Sequence, residues 1–290
     1  MKIGLLGPGA IGSAVTAALI ASGHEVAVCG RRRFRQLVVE SEVGHGTYPI
    51  SYNDDPDRVE PVDVLFVAVK GHQLETAAAW FPALVHSQTI VVACLNGVEH
   101  ETQLRPLVGE APVVPVVVML PAHAREPGRL FIRMAGTLLV PDSDAGRTVT
   151  GLFGSDFLAV ETVEDFAARS WRKLMRNAVS GGIATLTRQP LDISDDEDAR
   201  ELVVGMLQEI LEVARAEGVD LDIGLVDEMA DGLAGAGIGH RSSIVVDRLA
   251  GRPTEWRSRN EVVVRLAAQH GIPVPINQMV TTLLRLGEPN

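Results

Sequence analysis

Apolar and polar positions follow two periodicities in the first half of the chain. Residues 2–6 form a short apolar run, residues 11–22 carry small and aliphatic residues at helical spacing, and residues 25–29 alternate as a strand does. This succession predicts a strand, a helix and a second strand, which together form a β-α-β unit.

The same succession continues along this half. Residues 62–69 and 89–95 are continuous apolar runs typical of parallel strands buried on both faces, and residues 73–84 between them have a helical pattern. Further strands are predicted over residues 113–119, 129–132 and 138–140. Alternating strands and helices predict a Rossmann-type α/β fold with a doubly wound parallel sheet, which we assign to residues 1–166.

The second half follows the helical period instead. Residues 167–187 are predicted to be helical, and a capping-box pattern over residues 194–197 opens a helix that ends at Gly218. Further helices are predicted over residues 240–250 and 254–270. We therefore predict an all-helical domain over residues 167–290.

Composition narrows the class of partner. The chain has 290 residues, of which 46% are hydrophobic, enough for two domains with cores of their own. Its formal net charge of −11 argues against binding to nucleic acid or to an anionic membrane, both of which need an excess of Lys and Arg. No apolar run approaches the ~20 residues that span a bilayer. A small molecule is the expected partner.

The cysteines and histidines indicate neither a disulfide framework nor a metal site. Cys29 and Cys94 both lie within predicted buried strands, which fits a reducing cytoplasm. His100, His123 and His240 are isolated from one another and from the cysteines. We therefore predict that the chain binds no metal.

A glycine-rich turn follows the first predicted strand. Gly7, Gly9 and Gly12 have the G-x-G-x-x-G spacing between a strand and a helix, the context in which this motif binds a dinucleotide. The first glycine permits the tight turn, the second lets a pyrophosphate approach the backbone, and the third lets helix and strand pack closely. The same glycines interrupt the apolar helix that a secretory signal would need, which argues against a signal peptide. The predicted cofactor contacts of this turn are Gly7, Pro8, Gly9, Ala10, Ile11 and Gly12.

The end of the second strand bears on the choice of dinucleotide. An Asp or Glu there binds the 2′-hydroxyl of an unphosphorylated ribose, whereas an Arg accommodates a 2′-phosphate. This chain has Arg31, Arg32 and Arg33 at that point and no acid. NADP(H) is therefore the predicted cofactor, and a solvated basic turn is the alternative interpretation.

Two polar residues follow later strands of the predicted sheet. Lys70 and Asn96 both fall at the carboxyl ends of parallel strands, where ligands bind in open α/β sheets. Each could contact the cofactor or the substrate, or be an ordinary loop residue.

The helical half offers a pair of residues suited to the reduction of a carbonyl group. Lys173 and Asn177 are four residues apart, which puts them one turn apart on the same helix face. The amide can hold the substrate while the ammonium delivers a proton to the carbonyl oxygen. A lysine that simply faces solvent is the alternative interpretation.

Other polar and glycine-rich features have simpler explanations. Ser242, Ser243 and Glu255 lie near predicted helix starts, where capping would account for them. A second glycine cluster at residues 235–239 follows a helix rather than a strand, so it is predicted to be an interhelical loop.

Over its whole length the chain resembles the ketopantoate reductase (2-dehydropantoate 2-reductase) family. The order and spacing of several motifs make the resemblance specific. These motifs are Gly7-Pro-Gly-Ala-Ile-Gly12 with Arg31, Val69-Lys70-Gly-His-Gln73, Leu95-Asn96-Gly97, Trp171-Arg-Lys173 with Asn177, Ser242-Ser243 with Asp247, and Thr254-Glu255.

The resemblance implies an NADPH-dependent reduction of a 2-keto acid to a 2-hydroxy acid, in a cleft between the Rossmann-type domain and a helical domain of the 6-phosphogluconate dehydrogenase-like C-terminal type. It also implies individual functions for matched positions. The implied assignments are Lys173 as general acid, Asn96, Asn177 and Ser243 as substrate contacts, Glu255 as a catalytic residue near the reacting end and the nicotinamide ribose, Lys70 and Asn96 beside NADPH, and Arg31 at its 2′-phosphate.

The chain departs from the family pattern around these substrate contacts. Gly181 stands where the family often has a second Asn, which removes a hydrogen bond to the substrate. After Thr254-Glu255 the family usually continues with Asp and then Asn-Gly, whereas this chain has Trp256, Arg257 and Glu261. The substrate is therefore left open between 2-dehydropantoate, which would yield pantoate for pantothenate and coenzyme A biosynthesis, and a related branched 2-keto acid.

Two other functions stay open at this point. A related reductase of imino or hydroxy acids would share the same two-domain plan, and a non-catalytic dinucleotide sensor would keep the glycines but would not need Lys173. A homodimer is compatible with the sequence, which does not specify the oligomeric state.

Overall fold

The structure, a computed structural model, describes residues 1–41, 44–189, 191, 193, 196–234 and 242–289. The chain divides into two compact units, Met1–Phe166 and Ala167–Asn290. Three features singled out above lie outside the described residues: positions 194–195 of the capping-box pattern, the glycine cluster at 235–239, and His240.

The first unit contains a six-stranded parallel sheet and two smaller sheets. The strands are β1 (Ile3–Leu6), β2 (Val26–Cys29), β3 (Gln36–Ser41), β4 (Gly44–Pro49), β5 (Ser51–Asn53), β6 (Val64–Val67), β7 (Ile90–Ala93), β8 (Val113–Pro115), β9 (Val117–Met119), β10 (Ala122–Glu126), β11 (Arg129–Ile132), β12 (Gly136–Pro141) and β13 (Leu158–Val163). The large sheet has the order β5-β2-β1-β6-β7-β8, and every neighbouring pair in it is parallel. This is the predicted Rossmann-type sheet.

Helices cover both faces of the large sheet. Those of the first unit are α1 (Ala10–Ala21), α2 (Leu74–Ala77), α3 (Phe81–Leu84), α4 (His100–Val108) and α5 (Asp144–Thr150), with a 3-10 turn at Pro56–Arg58. The helix predicted over residues 73–84 is instead a series of short pieces, with 3-10 turns at Gly71–Gln73 and Ala78–Trp80. Pro82 lies in the first turn of α3 and has no N–H to continue a helix from the preceding turn, which explains the break.

Alternate residues of the central strands face two separate cores. Ile3 and Leu5 of β1 pack in one core with α1, whereas Leu6 packs in a second core that includes Trp80 and Phe81. Because both faces of the sheet are covered, the sequence of each strand is a continuous apolar run rather than an alternation of apolar and polar residues.

The remaining strands form two sheets that the sequence patterns did not separate. One has the order β10-β11-β3-β4 and the other β13-β12-β9. The strand predicted over residues 113–119 is in fact two strands, since β8 pairs with β7 whereas β9 pairs with β12. The hydrogen bonds between β7 and β8 end just past Pro115, where the Val116 N–H donates to the Ala93 carbonyl at 3.2 Å.

The second unit is helical, as predicted. Its helices are α6 (Phe166–Arg176), α7 (Gly182–Thr187), α8 (Glu197–Ala216), α9 (Leu225–Ala234), α10 (Ser243–Leu249), α11 (Val262–His270) and α12 (Pro275–Leu286). At the start of α8 the side chain of Asp196 accepts from the Ala199 N–H at 2.9 Å, so the helix begins two residues later than the predicted capping box. At its end Gly218 has φ +82°, the left-handed conformation predicted there.

Two π turns interrupt the helices of this unit. One, Asn177–Gly181, joins α6 to α7, and the other, Arg257–Glu261, leads into α11. A π turn takes carbonyls out of the regular helical hydrogen-bond ladder. The Asn260 side-chain N–H donates to the Ala178 carbonyl at 2.9 Å, so the second π turn satisfies a carbonyl of the first.

None of the described helices is long and apolar enough to cross a membrane. Within the same residues, the structure contains no group of three or more His, Cys, Asp or Glu side chains arranged to hold a metal ion.

Candidate active site

The turn after β1 requires glycine at two positions. Gly7 has φ +94°, and its N–H donates to the Cys29 carbonyl at 3.0 Å. A Cβ on Gly7 would lie 2.6 Å from Val69 Cγ1, and a Cβ on Gly12 would overlap the Gly7 carbonyl oxygen. The first and third glycines of the motif therefore allow the tight turn and the close packing of α1 that were predicted.

The second glycine leaves space open at the start of α1. A Cβ on Gly9 would meet no other atom within 4 Å. Gly9 provides no side-chain cap, and the helical ladder starts with the Ser13 N–H donating to the Gly9 carbonyl. The N–H groups of Ala10, Ile11 and Gly12 thus have no partner within the helix, and no acidic side chain lies in its first turn. Such a helix start favours a bound anion such as a phosphate.

The three arginines after β2 differ in what they contact. Arg33 makes an ion pair with Asp54, with Nε 2.6 Å from Oδ2 and Nη2 2.6 Å from Oδ1, and this pair lowers the pKa of Asp54. Arg31 and Arg32 are exposed, and neither has an ion-pair partner among the described residues. Arg31 and Arg32 therefore have guanidinium groups free to meet a phosphate, whereas Arg33 is bound to the protein.

Lys70 and Asn96 lie at the same edge of the large sheet as the glycine turn. Lys70 follows β6 and Asn96 follows β7, and both side chains are half-buried. The register pairs Leu6 with Val67 and Val67 with Ala93, so the chain leaves all three strands at one edge. The structure thus brings together the cofactor positions that were predicted in the first unit.

The cysteine at the end of β2 contributes its carbonyl to the glycine turn, but its thiol is buried. Cys29 is buried, and burial raises the pKa of its thiol to about 12. A thiol in this state is protonated and unreactive at neutral pH.

Lys173 and Asn177 lie on neighbouring turns at the end of α6. Lys173 is in the last turn of α6, and Asn177 is the first residue of the π turn that follows. Both are half-buried rather than fully exposed. The amphipathic helix buries Trp171, Leu174 and Met175, which fixes the face that carries Lys173.

Ser243, Glu255 and Gly181 come together around a residue that the sequence did not single out. The Arg259 side chain is 4% exposed, and its Nη2 donates to Ser243 Oγ at 2.9 Å. The same Nη2 lies 3.7 Å from Glu255 Oε2. A Cβ on Gly181 would lie 3.5 Å from Arg259 Nη1. Arg259 lies in a π turn, and a regular helical period does not predict which side chains of such a turn are buried.

Capping does not explain Ser242 or Ser243. Ser242 is the N-cap of α10 by its backbone, but its side chain makes no capping hydrogen bond. Its Oγ is buried and has no hydrogen-bond partner among the described residues. The capping interpretation is therefore wrong for these side chains.

The departures at residues 256–261 separate into buried and exposed positions. Trp256 is buried. Arg257 is exposed, with its guanidinium 5.3 Å from the Trp256 ring centroid and its Nε 3.9 Å from Glu261 Oε2. Arg257 and Glu261 therefore pair with each other at the surface, whereas Arg259 carries its charge in the interior.

The parallel sheet, the glycine turn at its edge and the helical second unit define a Rossmann-type protein with an appended helical domain. Two family models match this chain. The one described as "Ketopantoate reductase PanE/ApbA" matches residues 3–145, and the one described as "Ketopantoate reductase PanE/ApbA C terminal" matches residues 165–288.

Individual relatives agree with these matches. A protein of Caulobacter vibrioides named 2-dehydropantoate 2-reductase is 36% identical over 284 residues, which cover 98% of each chain. A protein of the same name from Mycobacterium tuberculosis is 34% identical over 287 residues, covering 97% of this chain and 96% of that protein. The crystal structure of a 2-dehydropantoate 2-reductase from Geobacter metallireducens superposes with a TM-score of 0.91 at 27% identity and covers 99% of both chains.

The chain belongs to the ketopantoate reductase family. This membership confirms the predicted oxidoreductase class, and the structure confirms the predicted fold class.

Proposed function

We propose that this protein binds NADPH at the edge of its parallel sheet and reduces a 2-keto acid to the 2-hydroxy acid. The observation that carries the proposal is the open space above Gly9 at the uncapped start of α1, at the edge where Lys70 and Asn96 also lie. Backbone N–H groups without partners and an absent side chain suit a pyrophosphate at this point.

The residues present fit a phosphorylated dinucleotide. The turn from Gly7 to Gly12 holds the pyrophosphate, and Lys70 and Asn96 lie beside the bound cofactor. Arg31 meets the 2′-phosphate, with Arg32 next to it, because both guanidinium groups are exposed and neither is paired with an acid of the described chain.

Reduction needs a hydride at the carbonyl carbon and a proton at the carbonyl oxygen. The bound nicotinamide supplies the hydride. The Lys173 ammonium donates its proton to the oxygen, which becomes the hydroxyl of the product, and the lysine then regains a proton from water. Asn96, Asn177 and Ser243 hold the substrate, and Glu255 lies near its reacting end and the nicotinamide ribose.

The proposed substrate is 2-dehydropantoate or a related branched 2-keto acid. Two relatives that align along nearly the whole chain carry the name 2-dehydropantoate 2-reductase. Related acids stay among the proposed substrates because Gly181 cannot make the hydrogen bond that an Asn side chain would make to the substrate. One hydrogen bond to a charged group contributes about 1.5–3 kcal/mol, which corresponds to more than tenfold in substrate preference.

The test is NADPH oxidation with 2-dehydropantoate and a panel of branched 2-keto acids. Turnover of at least one of them supports the proposal. Tight NADPH binding without turnover of any would contradict it and favour a dinucleotide sensor.

The Lys173→Ala variant tests the proton donor. We expect turnover to fall by at least ~10²-fold with little change in the dissociation constant for NADPH, because only the proton transfer is lost. Arg172→Ala is the matched control, since Arg172 is exposed on the same helix and should keep the wild-type rate. A normal rate for Lys173→Ala would mean that another group donates the proton.

A further inference from the structure

Arg259 is a charged residue in the interior of the helical unit. It lies on the π turn that leads into α11, and its side chain is 4% exposed. A guanidinium stays protonated in proteins, so the charge itself is buried here. Burying a charge is costly unless ion pairs and hydrogen bonds compensate for it.

The described residues compensate for this charge only in part. Nη2 donates to Ser243 Oγ at 2.9 Å, and the nearest carboxylate oxygen, Glu255 Oε2, lies at 3.7 Å from it, beyond ordinary hydrogen-bond length. Nε is buried and has no hydrogen-bond partner among the described residues. Burial lowers the pKa of Arg259, while the carboxylates of Glu255 and Asp247 oppose that shift. The guanidinium therefore has a long ion pair and one hydrogen bond, and its Nε lacks an acceptor among the described residues.

Gly181 allows the chain to pack closely against this guanidinium. Gly181 is buried, and a Cβ there would lie 3.2 Å from Ile244 Cγ2 and 3.5 Å from Arg259 Nη1. A larger side chain at 181 would press on both. The hydroxyl of Ser242, 3.9 Å from the same Cβ position, is buried and also has no partner in the described part of the chain.

We propose that Arg259 binds the carboxylate of the substrate, with the hydroxyls of Ser242 and Ser243 beside it, and thereby selects anionic 2-keto acids over neutral carbonyl compounds. The planar fork of a guanidinium matches a carboxylate, whose oxygens can accept hydrogen bonds from the buried groups that have no partner among the described residues. This inference rests on the proposed function, which assigns Ser243 to the substrate.

The test compares a 2-keto acid with its uncharged counterpart. The rates of wild-type and Arg259→Met protein are measured with 2-oxoisovalerate and with its primary amide, which lacks the negative charge. We expect Arg259→Met to lower kcat/KM for the acid by about 10- to 100-fold, mostly through KM, and to change kcat/KM for the amide by less than about threefold.

Arg257→Met is the matched control. Arg257 lies on the same π turn but is 71% exposed, so this variant should keep the wild-type preference for the acid. Arg259→Lys should fall between wild type and Arg259→Met, because lysine keeps the charge and loses the fork. Equal losses with acid and amide, or no loss with either, would overturn the proposal.

A second variant and a binding measurement keep the outcomes distinct. If Arg259→Met does not fold, as judged by circular dichroism and NADPH binding, Gly181→Ala takes its place, and a raised KM for the acid alone is the supporting result. If wild-type protein reduces neither compound, turnover of the whole 2-keto acid panel decides about the proposed function, and calorimetry of 2-oxoisovalerate binding decides about Arg259 separately. Binding that is at least tenfold weaker in the variant supports the inference, and equal or absent binding in both proteins contradicts it.

Discussion

The three arginines after β2 differ in whether they are available to bind a phosphate. Arg33 forms two short contacts with Asp54, whereas Arg31 and Arg32 stay exposed beside it without an acidic partner in the described residues. A run of three like charges thus contains one structural residue and two candidates for phosphate binding.

The double variant Arg31→Ala/Arg32→Ala should lose its preference for the phosphorylated cofactor. We expect the dissociation constant for NADPH to rise by about 10- to 100-fold, since charge-assisted hydrogen bonds contribute about 1.5–3 kcal/mol, while that for NADH changes little. Fluorescence titration of both cofactors measures the two constants. Arg33→Ala is the control, because it breaks the pair with Asp54 and should lower stability more than selectivity. Equal weakening for NADPH and NADH would show that the arginines do not read the 2′-phosphate.

Residue types and spacing predicted part of the site and missed part. The glycines could be predicted because each position needs the absence of a side chain for a local reason. Arg259 could not, because it lies in a π turn, which breaks the helical period, and because it packs against the small residue at 181, which is distant in sequence. The functions assigned to Lys173, Asn177 and Glu255 stay predictions.

Elements in the helical unit are joined by a few buried polar contacts. Glu209 of α8 accepts from the backbone N–H groups of Ile276 and Asn277, each at 2.9 Å, and from the Asn277 side chain at 2.7 Å. These N–H groups belong to the first turn of α12, so a side chain from one helix caps the start of another.

Removing this cap should destabilise the protein. Glu209→Ala leaves buried N–H donors without an acceptor, and we expect it to lower the free energy of unfolding by about 3 kcal/mol. Urea denaturation measures the difference. Glu212→Ala on the exposed face of the same helix is the control and should stay within about 0.5 kcal/mol of wild type. A similarly small effect for Glu209→Ala would mean that water replaces the carboxylate at no cost.

Strands were predicted where apolar residues form a run, and the strand predicted over residues 129–132 coincides with β11, whose residues are buried only alternately. Continuous apolar runs predicted β6 and β7, whereas β3 and β4 carry polar residues and glycine and were not recognised. The two π turns were also missed, because a prediction from hydrophobic periodicity assumes that the number of residues per turn is the same throughout a helix. For the same reason, the four-residue spacing from Asn177 to Gly181 does not keep both on one face as it would in a regular helix.

On the scale of the whole molecule, each core of the parallel sheet is made from one stretch of chain. The buried residues of both cores lie between Ile3 and Val160, within the first unit. The residues assigned to proton transfer, Lys173 and Asn177, lie in the second unit. The residues assigned to the phosphates of the cofactor thus precede position 166, whereas those assigned to proton transfer, and Glu255 near the nicotinamide ribose, follow it.

A fragment of residues 1–166 should therefore fold and bind NADPH without reducing any substrate. It keeps every buried residue of both sheet cores, so we expect a cooperative urea transition and a dissociation constant for NADPH within about tenfold of the full chain. Turnover with the 2-keto acid panel should be absent, because Lys173 has been removed. Circular dichroism, fluorescence titration and NADPH oxidation measure these three properties. A fragment without a cooperative unfolding transition would show that the sheet depends on the helical unit for its stability. A folded fragment that fails to bind NADPH would show that the edge formed by Gly9, Lys70 and Asn96 is not sufficient for cofactor binding.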